Sequence, residues 1–240
     1  MADACAVVTG VSKGLGEALA ADLIERGFHV VGVGRSASKK LAGANFQLAE
    51  IDLADVATLA ARMRSLFEAL AARPLASIVV INNAAVAGPV GTVGQLDAAE
   101  VEASLRVNLA APIVIADAFV RAFVGVDVPR RLINVSSGAA AGPIAGAGVY
   151  SIGKAGLEML TRSVVADGSG IEAITIRPGI MDTPMQTFIR SQPKERLPSL
   201  PMFEGFRPQL VPPAITAAKI IDRLVVGPVD NGRVYSYAEL

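Results

Sequence analysis

The stretch "CAVVTGVSKGLGEAL", residues 5–19, restricts the fold more than any other part of this chain. An apolar run ends at Gly10, Gly14 and Gly16 follow in a G-x-x-x-G-x-G spacing, and a helical pattern starts at once. Glycines at a strand-to-helix turn permit a tight bend and a close backbone approach to a bulky anion. The helix start adds unpaired N–H groups and the positive end of its dipole. A glycine pattern alone says little. One that leaves a strand and opens a helix has the context of a phosphate-cradling βα unit, against the alternative of a tight turn without ligand.

The rest of the chain repeats that unit. Val- and Ile-rich runs at 29–34, 46–53, 77–83, 131–137, 173–179 and 233–237 alternate with helical stretches such as 16–27, 56–72, 99–123 and 150–167. Strand–helix alternation implies parallel pairing through right-handed crossovers, and unbroken strand hydrophobicity implies a sheet covered on both faces. The pattern predicts an α/β fold: a Rossmann-type, doubly wound parallel sheet of about seven strands with helices on both faces. A length of 240 residues suits one domain over 1–240. Residues 182–213 break the rhythm: they hold many of the 14 prolines and fit no element of ordinary length. Such a segment predicts a substrate lid.

Composition removes several function classes. Lys+Arg and Asp+Glu are equal at 22 each, which argues against a nucleic-acid or anionic-membrane partner held by bulk charge. The apolar run 109–124 is interrupted by Pro112, Asp117 and Arg121, so no membrane span is expected. One cysteine, Cys5, and one histidine, His29, exclude an internal disulfide and an ordinary zinc site. A cytoplasmic setting is expected, with no secretory leader legible before the first strand.

Two further patterns carry chemistry. The second strand ends with Gly34 where dinucleotide folds often place a carboxylate for the ribose hydroxyls, and Arg35 follows. With Lys13 in the glycine loop, two cations and no carboxylate favour NADP(H) over NAD(H); the alternative is a pair of solvated surface charges. Tyr150, one of three tyrosines, stands four residues before Lys154 at the start of an apolar helical stretch. The two share a helix face. That spacing suits chance, a surface pair, or a phenol whose acidity is being tuned.

"TGVSKGLG", "NNAA" (82–85), Asn108, "NVSS" (134–137), "YSIGK" (150–154) and "RPGIMDTPM" (177–185) occur in the order and spacing of the short-chain dehydrogenase/reductase family. The chain resembles that family over nearly its whole length. The resemblance implies that Tyr150 is the catalytic acid/base, that Lys154 is its partner and also bonds the nicotinamide ribose, and that Ser137, rather than its neighbour Ser136, orients the substrate oxygen. It implies a supporting role for Asn108 in a water-mediated proton relay. Cofactor contacts are implied for Gly10, Ser12, Lys13, Gly14, Leu15 and Gly16 around the pyrophosphate, and for Arg35. Asp52 and Leu53 are implied on the adenine side, and Asn82 and Ala84 on the ribose side. Pro178, Gly179, Met181 and Thr183 are implied near the nicotinamide. "NNAA" replaces the usual Asn-Asn-Ala-Gly at Ala85, and the "DGSGIEA" loop is short for the family. Thr183 before Pro184 also reads as a helix N-cap.

In this reading the ammonium of Lys154, with the positive nicotinamide of the oxidised cofactor, lowers the pKa of Tyr150 toward useful acid/base behaviour. The small residues of 138–149, with Met185, Phe188, Ile189, Met202, Phe203 and Phe206, predict a pocket for an apolar or aromatic small-molecule carbonyl. Arg190, Lys194, Arg196 and Arg207 read as solvated lid charges, or as contacts for an anionic substrate such as a carrier-bound acyl chain. Within the family the chain is similar to the sepiapterin reductase and benzil reductase branch. Val234-Tyr235 stands where pterin reducers carry an aspartate, which favours a diketone over a pterin. The expected activity is NADPH-dependent carbonyl reduction. The alternatives are 3-oxoacyl-thioester reduction and a non-catalytic NADP(H)-binding regulator. Helices 99–123 and 150–167 are expected to pack in a homodimer or homotetramer.

Overall fold

The computed structural model describes residues 3–240. In chain order the elements are β1 (Asp3–Thr9), α1 (Gly14–Glu25), β2 (His29–Gly34), β3 (Phe46–Glu50), α2 (Val56–Ala71) and β4 (Leu75–Asn82). They continue with α3 (Ala98–Leu105), α4 (Ala111–Ala122), β5 (Arg130–Val135), α5 (Gly148–Ala166) and β6 (Glu172–Arg177). Last come α6 (Pro184–Arg190), α7 (Leu200–Gly205), α8 (Pro213–Ile220) and β7 (Val234–Ser236). Seven parallel strands lie in the order β3-β2-β1-β4-β5-β6-β7. This is the doubly wound Rossmann-type sheet the alternation predicts. The order in which successive strands are added reverses between β1 and β4, and ligands bind beyond the carboxyl ends of strands at such a switch point.

The sheet is apolar on both faces because both are covered. On one face α2, α4 and α5 bury Phe67, Phe119 and Phe123, whose rings meet tilted and edge-on at centroid distances of 5.3 and 5.2 Å. On the other, α1 and α8 bury Leu19, Leu23, Ile220 and Tyr235. Caps set two helix starts: Asp55 accepts from the Thr58 N–H at 3.4 Å, and Asp97 from the Glu100 N–H at 3.0 Å.

Residues 99–123 are not one uniform helix. Pro112 has no N–H to give the carbonyl four residues back, that of Asn108. Over Arg106–Ala110 the helix widens to π geometry, and the Ala111 N–H reaches back to the Arg106 carbonyl. Ala98–Ala122 is long and apolar enough by length and composition to cross a membrane, yet 44% of its most apolar part is buried within the fold. Residues 182–213 are not irregular throughout either. The segment folds as α6, α7 and a short turn, and its two ends are stitched by the Met181–Val211 bridge and a 3.0 Å bond from the Asp182 N–H to the Val211 carbonyl.

Candidate active site

The carboxyl ends of β1, β4, β5 and β6 open into one cleft of about 1230 Å³. At one end lies the glycine loop. Gly10 and Gly14 have φ of 76° and 66°, a left-handed region that glycine enters without penalty. At Gly16 the constraint is space: a Cβ would stand 2.2 Å from the Gly10 carbonyl oxygen and 2.4 Å from Asn83 Nδ2. The turn is held from below by Thr9, whose Oγ1 accepts the N–H groups of Asn83 and Ala84, both at 2.9 Å. Ser12, Lys13, Leu15, Arg35, Asp52, Leu53 and Ala84 continue the lining. Lys13 and Arg35 are exposed at its rim and form no ion pair among the described residues. The Asp52 carboxylate accepts from the Ala54 N–H at 2.9 Å, which shapes the loop after β3.

Toward the other end the strands deliver the polar groups. Ser136 and Ser137 leave β5, and Tyr150 and Lys154 stand one turn apart at the start of α5; all four line the cleft. Lys154 is 2% exposed; its Nζ donates to the Val135 carbonyl at 2.7 Å and lies 5.7 Å from the centre of the Tyr150 ring. Burial pulls the Lys154 ammonium down to about 8. Burial likewise pushes the Tyr150 phenol up to about 12, and hydrogen bonding with Ser137 works the other way. The lowering expected for Tyr150 is therefore not seen in the free protein, where burial is the larger cause and the Ser137 hydrogen bond the opposing one.

Two residues expected at the site do not line it. The Asn82 side chain is buried inside the sheet, donating to Asn134 Oδ1 at 2.9 Å, and Asn83 faces the cleft instead. Asn82 is the last residue of β4, and strand alternation turns its neighbour outward. Asn108 is fully buried behind the wall. Its Oδ1 accepts from the Val86 N–H at 2.9 Å, and its Nδ2 donates to the Val86 carbonyl and to Ser104 Oγ. Pro178, Gly179, Met181 and Thr183 line the cleft. Thr183 holds the N-cap position of α6 but makes no capping hydrogen bond; its methyl instead lies against Gly14.

The roof is apolar. Met185, Phe188, Ile189, Met202, Phe203 and Phe206 face the cleft from the 182–213 segment, opposite Ala139, Gly142 and Ile144. Arg196 also reaches it, whereas Arg190 and Arg207 line a separate depression. Tyr235 lies outside the site: it is 1% exposed, and its hydroxyl accepts from the Asp230 N–H at 2.7 Å. Sequence reading passed over Asn83 and Thr9 at the loop base, although both sit inside quoted motifs. It also passed over Glu158 and the Arg177 side chain, which carry no signal until the fold brings them together.

Comparison with known proteins agrees with this arrangement. The sequence profile of the short chain dehydrogenase family matches residues 4–194. Benzil reductase ((S)-benzoin forming) of Bacillus subtilis is 29% identical over 239 residues, covering 97% of this chain and 98% of that one. Sepiapterin reductase of Mus musculus is 31% identical over 210 residues, 80% of each chain. The crystal structure of a short chain dehydrogenases/reductase from Saccharomyces cerevisiae has a TM-score of 0.83 at 25% identity, covering 98% of this chain and 96% of that one. With a profile match over most of its length and a glycine-lined cleft at the switch point of a seven-stranded parallel sheet, the chain belongs to the short chain dehydrogenase family of nicotinamide-dependent oxidoreductases.

Proposed function

We propose that this protein is an NADPH-dependent carbonyl reductase that converts a ketone or vicinal diketone to an alcohol, with Tyr150 as proton donor. The observation that carries the reading is the convergence of Ser137, Tyr150 and Lys154 on one cleft whose far end is the glycine loop with Lys13 and Arg35. The residues fit the cofactor, because a side chain at Gly16 would fill the cradle and the two rim cations have no acidic partner among the described residues. Gly10, Ser12, Gly14, Leu15 and Gly16 would hold the pyrophosphate, and Lys13 and Arg35 a ribose 2′-phosphate. Asp52 and Leu53 would flank the adenine, and Ala84 the ribose. Pro178, Gly179, Met181 and Thr183 would border the nicotinamide. The reduced nicotinamide, when bound, supplies a hydride.

The chain's own residues supply the proton and the placement. Burial keeps the Tyr150 phenol protonated at neutral pH, so it is ready to donate from Oη to the forming alkoxide. The Lys154 ammonium stabilises the phenolate left behind and offers a route for the returning proton. Ser137 hydrogen-bonds the substrate oxygen as charge grows on it. Asn108 spends its side chain on Val86 and Ser104, so any part it takes in a proton relay falls to its backbone carbonyl, from which Pro112 withholds a donor.

The apolar roof favours an apolar or aromatic substrate. A second reading, 3-oxoacyl-thioester reduction, draws on Arg196, the cation of the segment that reaches the cleft. A silent NADP(H)-binding regulator would not need an intact Ser137–Tyr150–Lys154 cluster. Ile113 on α4, with Ile152 and Met159 on α5, is exposed, which supports a homodimer or homotetramer through these helices; light scattering tests it.

The function is tested by following NADPH and NADH oxidation at 340 nm with benzil, an aliphatic diketone, sepiapterin and an acetoacetyl thioester. NADPH-specific turnover of a diketone is expected. Turnover of the thioester alone would replace this reading with acyl chemistry, and tight NADPH binding without turnover of any of them would favour the regulator.

A further inference from the structure

The β5–β6 ladder ends at the pair Val135–Ile176. The next two residues across from one another would be Ser136 and Arg177, and these lead directly into Ser137 on one side and Pro178-Gly179 on the other. One more backbone bond, from the Ser136 N–H to the Ile176 carbonyl at 2.8 Å, follows that pair, and among the described residues none joins the two strands after it. A side-chain cluster takes over there. Arg177 donates through Nε to Glu158 Oε1 at 2.8 Å and through a terminal nitrogen to Oε2 at 2.9 Å, a two-pronged ion pair. Ser136 Oγ lies 3.0 Å from the same Oε1 and 3.2 Å from the Lys154 carbonyl. Its single hydroxyl proton is shared between those acceptors or alternates between them.

Glu158 is one helical turn beyond Lys154 on the same face of α5. Its side chain is 8% exposed and that of Arg177 31%. A carboxylate buried this deeply needs a partner, and both of its oxygens have one. Resting on the reductase reading above, we propose that Glu158 and Arg177 are positioning residues: they clamp the nicotinamide-bordering turn at Pro178-Gly179 to the helix that carries Tyr150 and Lys154. The clamp sets the distance between the two halves of the reacting geometry without touching either reactant. It acts at the last backbone bond between β5 and β6, through a residue that also pairs with Ser236 of β7.

Arg177→Met tests this against wild type. Binding of NADPH is compared by calorimetry with binding of 2′-phospho-ADP-ribose, which lacks the nicotinamide. The variant is expected to bind NADPH about tenfold more weakly while the fragment binds as in wild type, because only the nicotinamide end is unclamped. On a turned-over carbonyl, kcat should fall about 10- to 100-fold with KM nearly unchanged, the cost of slight misplacement. Arg177→Lys should restore part of the loss. Glu158→Gln, which keeps shape and one pair of contacts, should show the same split more weakly and serves if Arg177→Met does not fold. Equal losses for NADPH and the fragment, or none for either, would overturn the proposal and leave an ordinary structural ion pair. Failure of the reductase reading shows separately: wild type would then turn over no carbonyl in the panel, whatever the variants bind.

Discussion

At Gly16 the backbone has no room for one more carbon, whereas at Gly205, at the end of α7 in the roof, a Cβ would meet nothing within 4 Å. The two glycines stand for the two sides of the cleft. The glycine loop and the wall of Ser137, Tyr150 and Lys154 are held by strand ends, by left-handed glycines and by buried hydrogen bonds. The roof is held by a four-residue cluster, Val90, Ala147, Leu197 and Phe203, while α6 buries no residue and leaves Phe188 44% exposed. Tight packing marks where geometry cannot vary, and the loosely packed roof is where we propose that substrate choice resides.

The sharpest way to break that contrast is to add the same methyl group to both sides. Gly16→Ala should abolish dinucleotide binding, since the clash is with the Gly10 backbone and cannot be relieved by a rotamer change. Gly205→Ala should bind as wild type and gain up to about 1 kcal/mol from helix propensity. Calorimetric titration with NADPH and a melting curve of each decide it. Equal tolerance at both positions would erase the distinction drawn between the two sides. Next in size, Tyr150→Phe should lower kcat about 10²- to 10⁴-fold, the range of general acid catalysis, with NADPH affinity kept. Unchanged turnover would remove Tyr150 as the donor.

Arg35→Asp probes the rim of the rigid side. Losing a charged contact and facing the 2′-phosphate with a carboxylate should shift the NADPH/NADH ratio of kcat/KM by about 10- to 100-fold toward NADH. A ratio that stays put would return Arg35 to the solvated surface charges.

A pH experiment sharpens the wall itself. Lys154 titrates near 8 in the folded chain against 10.5 normally. At this group the unfolded chain therefore binds more protons above about pH 8, and stability should rise with pH between about 8 and 9. From about pH 9 Cys5, pushed up from 9.0 to about 11 by burial, offsets that rise, and Tyr150, held up to about 12 against 10, adds a downward slope above pH 10. Urea unfolding of the cofactor-free protein should show the rise, and Lys154→Met should flatten it. The rate of reduction should fall above about pH 8 as the ammonium that stabilises the phenolate loses its charge.

What the sequence made legible follows the same division. The β1 turn, the doubly wound parallel sheet and the Tyr150–Lys154 spacing were readable because backbone sterics and helix periodicity leave few solutions. Asn82 was misplaced by one residue because motif position does not say on which side of a strand end a side chain emerges. The direction of the Tyr150 shift was missed because spacing reveals a neighbouring charge but not the depth of burial. Glu158 and Arg177 were silent because their contact spans 19 residues and depends on where a sheet ladder stops. The short helices of 182–213 were hidden by proline density, although Pro184, Pro201 and Pro213 all sit within the first turns of helices, where their missing N–H costs nothing.

The smallest expected effect is the one that tests the roof. Phe188 lines the cleft while nearly half of its surface stays open, and it belongs to none of the buried clusters. Phe188→Ala should leave the melting temperature unchanged, because little buried packing is lost. Removing an aromatic face from a diaryl substrate costs roughly 0.5–1.5 kcal/mol, so KM for benzil should rise about two- to tenfold. KM for a small aliphatic diketone, which has no ring to lose that contact, should stay near its original value, as should kcat for both. A common rise for both substrates would mean that Phe188 orders the whole segment instead of contacting the ligand, and the roof would then be as rigid in function as the glycine loop.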